Sequence, residues 1–101
     1  VLVLVSGVVL SPKAKADLSD IWDYTYSEWG VEQAEKYVRE LWAVMQEQTC
    51  DLTKAIDIGD VRKGYMKVRS GSHAVFFKVT RDGVVDVVRI LHQKMDFDRH
   101  L

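Results

Sequence analysis

Ser70, Ser72 and His73 place two hydroxyls and an imidazole in one short stretch. Serine activated by histidine is the chemistry of nucleophilic catalysis, which needs the base on the hydroxyl and a third group orienting the ring. Neighbours in a turn do not supply that geometry, so no triad is read here. A second set is basic: Arg62, Lys63, Lys67, Arg69, Arg89 and Lys94. Such cations could hold RNA phosphates and stabilise a transferring phosphoryl group. Cutting RNA also requires a base for the 2′-hydroxyl and an acid for the leaving oxygen. His92 could serve as one of these, and no second partner is evident. The set therefore reads as solvated sheet-surface charge, able to bind without cutting. Cys50 with His73, His92 and His100 makes no zinc spacing, and no phosphate-cradling glycine loop, Gly-x-Ser-x-Gly elbow or His-Glu-x-x-His motif occurs. No metal or other cofactor is expected.

The elements that must position these groups follow from periodicity. Ser11-Pro12 is a helix start, with serine as N-cap and proline at the first helical position. Ala14, Leu18, Ile21, Trp22, Thr25 and Trp29 then recur at helical spacing until Gly30. Val31, Ala34, Val38, Leu41 and Met45 give a second stripe, so two helices meet at one glycine as an antiparallel hairpin. Residues 49–59 read as a connecting loop. Val61 to Arg69, Ser72 to Thr80 and Val84 to Leu91 are rich in valine and phenylalanine. Ser70-Gly71 and Asp82-Gly83 punctuate them, which predicts a three-stranded antiparallel meander with its last strand inside the sheet. Residues 1–10 read as one extended strand. They lack a basic leading region, which disfavours a signal peptide, and are too short to span a bilayer. The predicted order is β-α-α-β-β-β, an α+β fold with a helical hairpin on a twisted antiparallel sheet. The polar tail from His92 to Leu101 has room for a short helix.

At 101 residues, 48% apolar and 29% charged, the chain fits one domain over residues 1–101. One cysteine excludes an internal disulfide framework and fits a reducing cytoplasm. Charge is unevenly spread. Residues 1–51 hold four basic and nine acidic side chains, net −5, and residues 52–101 hold ten and six, net +4. Either this is scattered solvated charge, or the basic half faces an acidic partner.

Three blocks carry a family resemblance. Leu10-Ser-Pro-Lys-Ala-Lys-Ala-Asp-Leu18, continuing through Ile21-Trp-Asp-Tyr-Thr25 to Trp29-Gly30, resembles the first helix of ParE-type toxins. Asp60-Val-Arg-Lys-Gly-Tyr65 with Gly71-Ser-His-Ala-Val-Phe-Phe77 is similar to their hairpin. Val87-Val-Arg-Ile-Leu-His-Gln-Lys-Met-Asp96 is similar to their last strand and tail. Together the blocks span about residues 10–101, in order. The first ten residues are longer and richer in valine than the usual first strand, and 46–59 lacks the proline- and glycine-containing stretch common there.

The resemblance, to the ParE branch of the RelE/ParE superfamily, implies a non-enzymatic toxin of a type II toxin–antitoxin system. It implies direct inhibition of DNA gyrase, blocked replication and growth inhibition, and neutralisation by a ParD-like antitoxin in the cytoplasm. No membrane partner and no sequence-specific DNA binding by this chain are expected. For gyrase inhibition the candidates are Arg89, His92, Gln93, Lys94, Met95 and Asp96, at the tail and its base. For the antitoxin they are Trp22, Trp29 and Trp42 on the hairpin, with Tyr65, Arg69 and Phe77 on the sheet side. The rival reading is a ribosome-dependent mRNA endonuclease of the RelE kind, against which a pI near 6.3 argues. An inactive toxin or a plain interaction module is the third.

Overall fold

Ser11 begins the first helix by accepting a hydrogen bond on its Oγ from the Ala14 N–H at 3.0 Å, with Pro12 at the first helical position. The same hydroxyl donates to the Val88 carbonyl at 2.8 Å, so the helix cap is also tied to the sheet. Helix α1 runs Pro12–Trp29 and helix α2 runs Val31–Glu47. Gly30 serves both: its N–H donates to the Tyr26 carbonyl and its carbonyl accepts from Ala34. Its φ of 93° lies where side chains are strained, so the sharp reversal depends on glycine. The sequence-predicted hairpin is present, with both bounds where the capping residues place them.

The computed structural model describes Leu4–Val5 and Gly7–Met95. Its strands are β1 (Leu4–Val5), β2 (Val8–Leu10), β3 (Ile56–Asp57), β4 (Met66–Ser70), β5 (His73–Val79) and β6 (Val85–His92). They form one sheet in the order β1-β2-β6-β5-β4-β3. The expected meander is β4-β5-β6, and β6 lies inside the sheet as its apolar run requires. Three details differ from the sequence reading. The single extended run at the start is broken by a turn at Gly7, whose φ is 82°, so β1 folds back on β2. The pairing of β2 with β6 is parallel, because two helices intervene and carry the chain back across one face. The loop after α2 contributes the short β3, and the next strand starts at Met66 rather than Val61. A turn occupies the gap, with Tyr65 N–H donating to the Arg62 carbonyl and Ile58 N–H to the Tyr65 carbonyl. The region around Asp96 to Leu101, including the expected short tail helix, lies outside the described residues.

The main core is sandwiched between hairpin and sheet. Leu41, Met45, Val75, Phe77, Val85 and Val87 are fully buried there, with Ala14 and Ile21 from α1. A smaller cluster of Ile58, Ala74, Phe76 and Leu91 occupies the other face of the sheet. Alternation along β5 divides Val75 and Phe77 from Ala74 and Phe76, as a pleated strand dictates.

Candidate functional site

The register of β5 against β6 slips between Phe76 and Phe77, which face Arg89 and Val87, leaving Val88 as an extra residue. Such a bulge bends a strand and re-aims its side chains. Here Arg89 turns to α1, where Asp17 receives its Nε at 2.8 Å and its Nη2 at 2.8 Å. The Ile90 N–H donates to the same carboxylate at 3.0 Å. Asp17 therefore closes three bonds to β6 in a geometry that suits guanidinium and carboxylate. Hydrogen bonding to Asp17 holds the Arg89 guanidinium above its ordinary value, so its charge is permanent.

A second polar cluster lies beyond it. The Tyr37 hydroxyl, from α2, accepts from the Ser72 N–H at 2.9 Å and lies 2.6 Å from His73 Nδ1. With the Ser70 carbonyl 3.5 Å away, the network is better satisfied when the phenol donates to His73 Nδ1, which assigns the proton of the neutral ring to Nε2. His73 meets His92 edge to face at 5.4 Å. Burial, reinforced by the nearby His92, lowers the His73 pKa, while Asp17 opposes the shift. Burial raises the Tyr37 hydroxyl above its usual value, opposed by the bonds to Ser72. At neutral pH the Tyr37–His73 pair is uncharged.

This cluster holds the base of the tail. The Gln93 side chain donates to the Gly71 carbonyl at 2.7 Å and the Gln93 N–H to the Ser72 carbonyl at 2.9 Å. Gly71 has a φ of 57°, and a Cβ there would meet Tyr37 Cε1 at 2.7 Å. A groove of about 690 Å³ opens beside the cluster, lined by Asp20, Tyr24 and Trp29 of α1, by Tyr37, and by His92 and Met95.

The structure separates the sequence-predicted residues. His92, Gln93, Lys94 and Met95 are exposed at the end of β6, whereas Arg89 is committed to Asp17. Asp96 lies outside the described residues. Trp29 is 71% exposed at the open end of the hairpin, and Trp22 is half-buried and stacked on Tyr26. Trp42 is half-buried against the core. Tyr65 and Arg69 sit on the opposite face of the sheet. Phe77 is 0% exposed and packs in the main core, so it offers no accessible surface; it faces the helices because it shares the pleat of Val75. The basic set divides too: Lys67 and Arg69 leave the outer face of the sheet, while Arg89 turns inward.

The alternation of β5 puts His73 on the helix side with Val75, opposite the face that carries Lys67 and Arg69. His73 and His92 are thus across the sheet from Lys67 and Arg69, while Arg89, bound by Asp17, shares their groove. The family model for the ParE toxin of type II toxin–antitoxin systems, parDE, matches residues 8–97. The chain belongs to the ParE toxin family. It is 47% identical to Toxin ParE1 of Mycobacterium tuberculosis over 96 residues, covering 95% of this chain and 98% of that one. It is 45% identical to Toxin ParE1 of Caulobacter vibrioides over 93 residues, 91% of this chain and 94% of the relative. A solved structure described as the chromosomal ParDE TA system from P. aeruginosa shares the fold, with a TM-score of 0.69 at 20% identity. That match covers 82% of this chain and 90% of the other. No helix among the described residues of this ParE-family chain is long and apolar enough to cross a membrane.

Sequence reasoning missed Asp17 and Tyr37. Neither was given a role from the sequence. Their partners lie 72 and 36 positions away, beyond any local pattern. Gly71 was the available signal, since glycine suits a turn at positive φ or a close approach to the backbone.

Proposed function

We propose that this ParE-family chain inhibits DNA gyrase by direct binding, without turnover or a cofactor of its own, and so blocks replication in the cytoplasm. A ParD-like antitoxin silences it. The observation that carries the non-enzymatic reading is the separation of chemistry across the sheet. RNA cleavage needs acid and base beside the phosphate-binding cations. In this chain the Tyr37–His73–His92 cluster faces the helices and Lys67 and Arg69 face away, while Arg89, the cation beside the cluster, is already bound by Asp17. Family membership supports the toxin role. The exposed His92, Gln93, Lys94 and Met95, held in place through Gln93, suit the part of the gyrase contact. The neighbour's description as a ParDE system supports the antitoxin partner. Trp29 and Tyr24, exposed beside the groove, have the character of anchors in a protein interface.

Purified toxin, separated from antitoxin, should inhibit supercoiling by gyrase and raise the yield of cleaved DNA, and should leave message on translating ribosomes intact. A chain lacking residues 92–101 should lose the inhibition and keep its antitoxin affinity. Trp29→Ala should weaken the antitoxin complex by about 2 kcal/mol with an unchanged melt of the toxin alone. Gyrase left fully active by a molar excess of folded toxin would overturn the reading, and codon-positioned cuts in ribosome-bound message would replace it with the endonuclease.

A further inference from the structure

The face of the sheet turned away from the helices carries charge mainly of one sign. Its centre is the small cluster containing Phe76 and Leu91, with Tyr65 packed against it. Lys67 and Arg69 pair in register with Phe76 and Ala74 and leave the sheet on this side. Arg62 and Lys78 each stand 5.8 Å from the centre of the Tyr65 ring. Arg62, Arg69 and Lys78 are exposed, and Asp86, 4.0 Å from Lys78, offsets one of these charges. The helical layer opposite exposes Asp20, Asp23, Glu28, Glu32, Glu35 and Glu40 against Lys13, Lys36 and Arg39. The molecule is therefore a charge dipole across its two layers.

We infer that this outer face docks double-stranded DNA through its phosphates, without reading base sequence. β5 has strand neighbours on both sides and β3 covers the Met66–Lys67 end of β4, so contact with the face itself is made by side chains, and main-chain pairing by a peptide would need the sheet edge instead. Tyr65 is half-buried and already carries two cations, so it gives an unpaired base little ring to stack on. What remains is positive charge, and duplex DNA supplies its densest complement, one phosphate per ~1.7 Å of axis. The acidic hairpin repels the same polyanion, which makes the docking one-sided. The surface stands whether or not gyrase is the target.

Fluorescence anisotropy of a labelled mixed-sequence duplex with antitoxin-freed chain tests it. Four phosphate contacts give a slope of log affinity on log salt of about −3.6, a loss on the order of 100-fold between roughly 50 and 200 mM salt. Arg69→Glu with Lys78→Glu should weaken binding by about tenfold or more at low salt, with an unchanged thermal melt. Should that pair fail to fold, the exposed Arg69→Gln alone should reduce the slope by about 0.9. Glu35→Lys on the hairpin should leave the slope unaltered. No binding at low salt, or binding indifferent to salt, would overturn the proposal. Polyglutamate of equal charge that displaces the duplex at equal concentration would also overturn it, and would assign the face to an acidic protein. Because no gyrase is present, this outcome is independent of the supercoiling assay.

Discussion

Asp17 and Tyr37 each reach from a helix to the sheet, one from α1 to β6 and the other from α2 to the β4–β5 turn. Asp17 makes a charged tie: its side chain is 13% exposed, that of Arg89 is 18% exposed, and three hydrogen bonds converge on one carboxylate. Tyr37 makes a neutral tie, sharing one hydroxyl among the Ser72 N–H, His73 Nδ1 and the edge of a glycine turn. The first fixes where β6 bulges. The second fixes where the tail leaves. A bidentate ion pair is stable across the whole neutral range, whereas a phenol–imidazole bond is open to protonation. The fold thus keeps its permanent link near the core and its titratable link beside the exposed residues proposed to meet gyrase.

Asp17→Ala should have the largest effect. It leaves the Arg89 guanidinium poorly solvated and removes the acceptor of the Ile90 N–H. Breaking such a pair costs about 3 kcal/mol here, the low end for buried pairs because part of it stays wetted. That is a large share of a small domain's stability. Chemical denaturation measures it. Adding Arg89→Met should recover part of the loss, since an apolar pair tolerates burial; a double variant no better than the single would show that the Ile90 bond dominates.

Gly71→Ala should come next. The alanine would sit at positive φ and its Cβ would press on the Tyr37 ring. Strain of about 1–3 kcal/mol is expected, and Tyr37 must yield for the turn to form. Tyr37→Phe on that background should cost less than it does alone, because the hydroxyl is already displaced. Additive losses would mean that the turn, and not the ring, absorbs the added methyl.

These two ties differ in how far they could be read beforehand. Ser11-Pro12, Gly30 and the two apolar stripes fixed the hairpin, because capping and periodicity are local. Asp82-Gly83 and the valine-rich runs marked the β5–β6 hairpin for the same reason. The break at Gly7 went unseen because valines on both sides share one pattern. Phe77 looked like an exposed sheet residue because the outward or inward sense of a strand depends on register, and register depends on partners. The bulge at Val88 swings Arg89 out of simple alternation, so a residue grouped with the surface cations became a helix tether. For the candidate site, the exposed stretch His92–Met95 was legible as polar sequence beyond an apolar strand. Its attachment was not, since Gln93 is held by a turn formed 22 positions earlier.

The smallest effect, and the one that tells the ties apart, is in pH. Burial lowers the folded-state pKa of His73, so the unfolded chain binds this proton more readily. The stability that neutral His73 contributes is complete above the unfolded value of about 6.5 and is lost as pH falls from there through the lower folded value. His92 adds to the loss by repulsion, and Asp17 on α1 moderates it; Glu40 bears on Tyr37 from its own helix. The loss should stay modest, because a protonated His73 can still donate from Nδ1 to the phenol oxygen while the phenol turns to the Ser70 carbonyl. The bond reverses direction rather than disappearing. Melting temperature should therefore decline gently below pH 6.5, and His73→Gln should flatten that decline. NMR titration of the His73 ring should return a midpoint below the ordinary histidine value in the wild type, moving toward it in Tyr37→Phe as the turn loosens and water enters. A midpoint at or above the ordinary value would mean that Asp17 outweighs burial, and the neutral tie would then be a charged one like its neighbour.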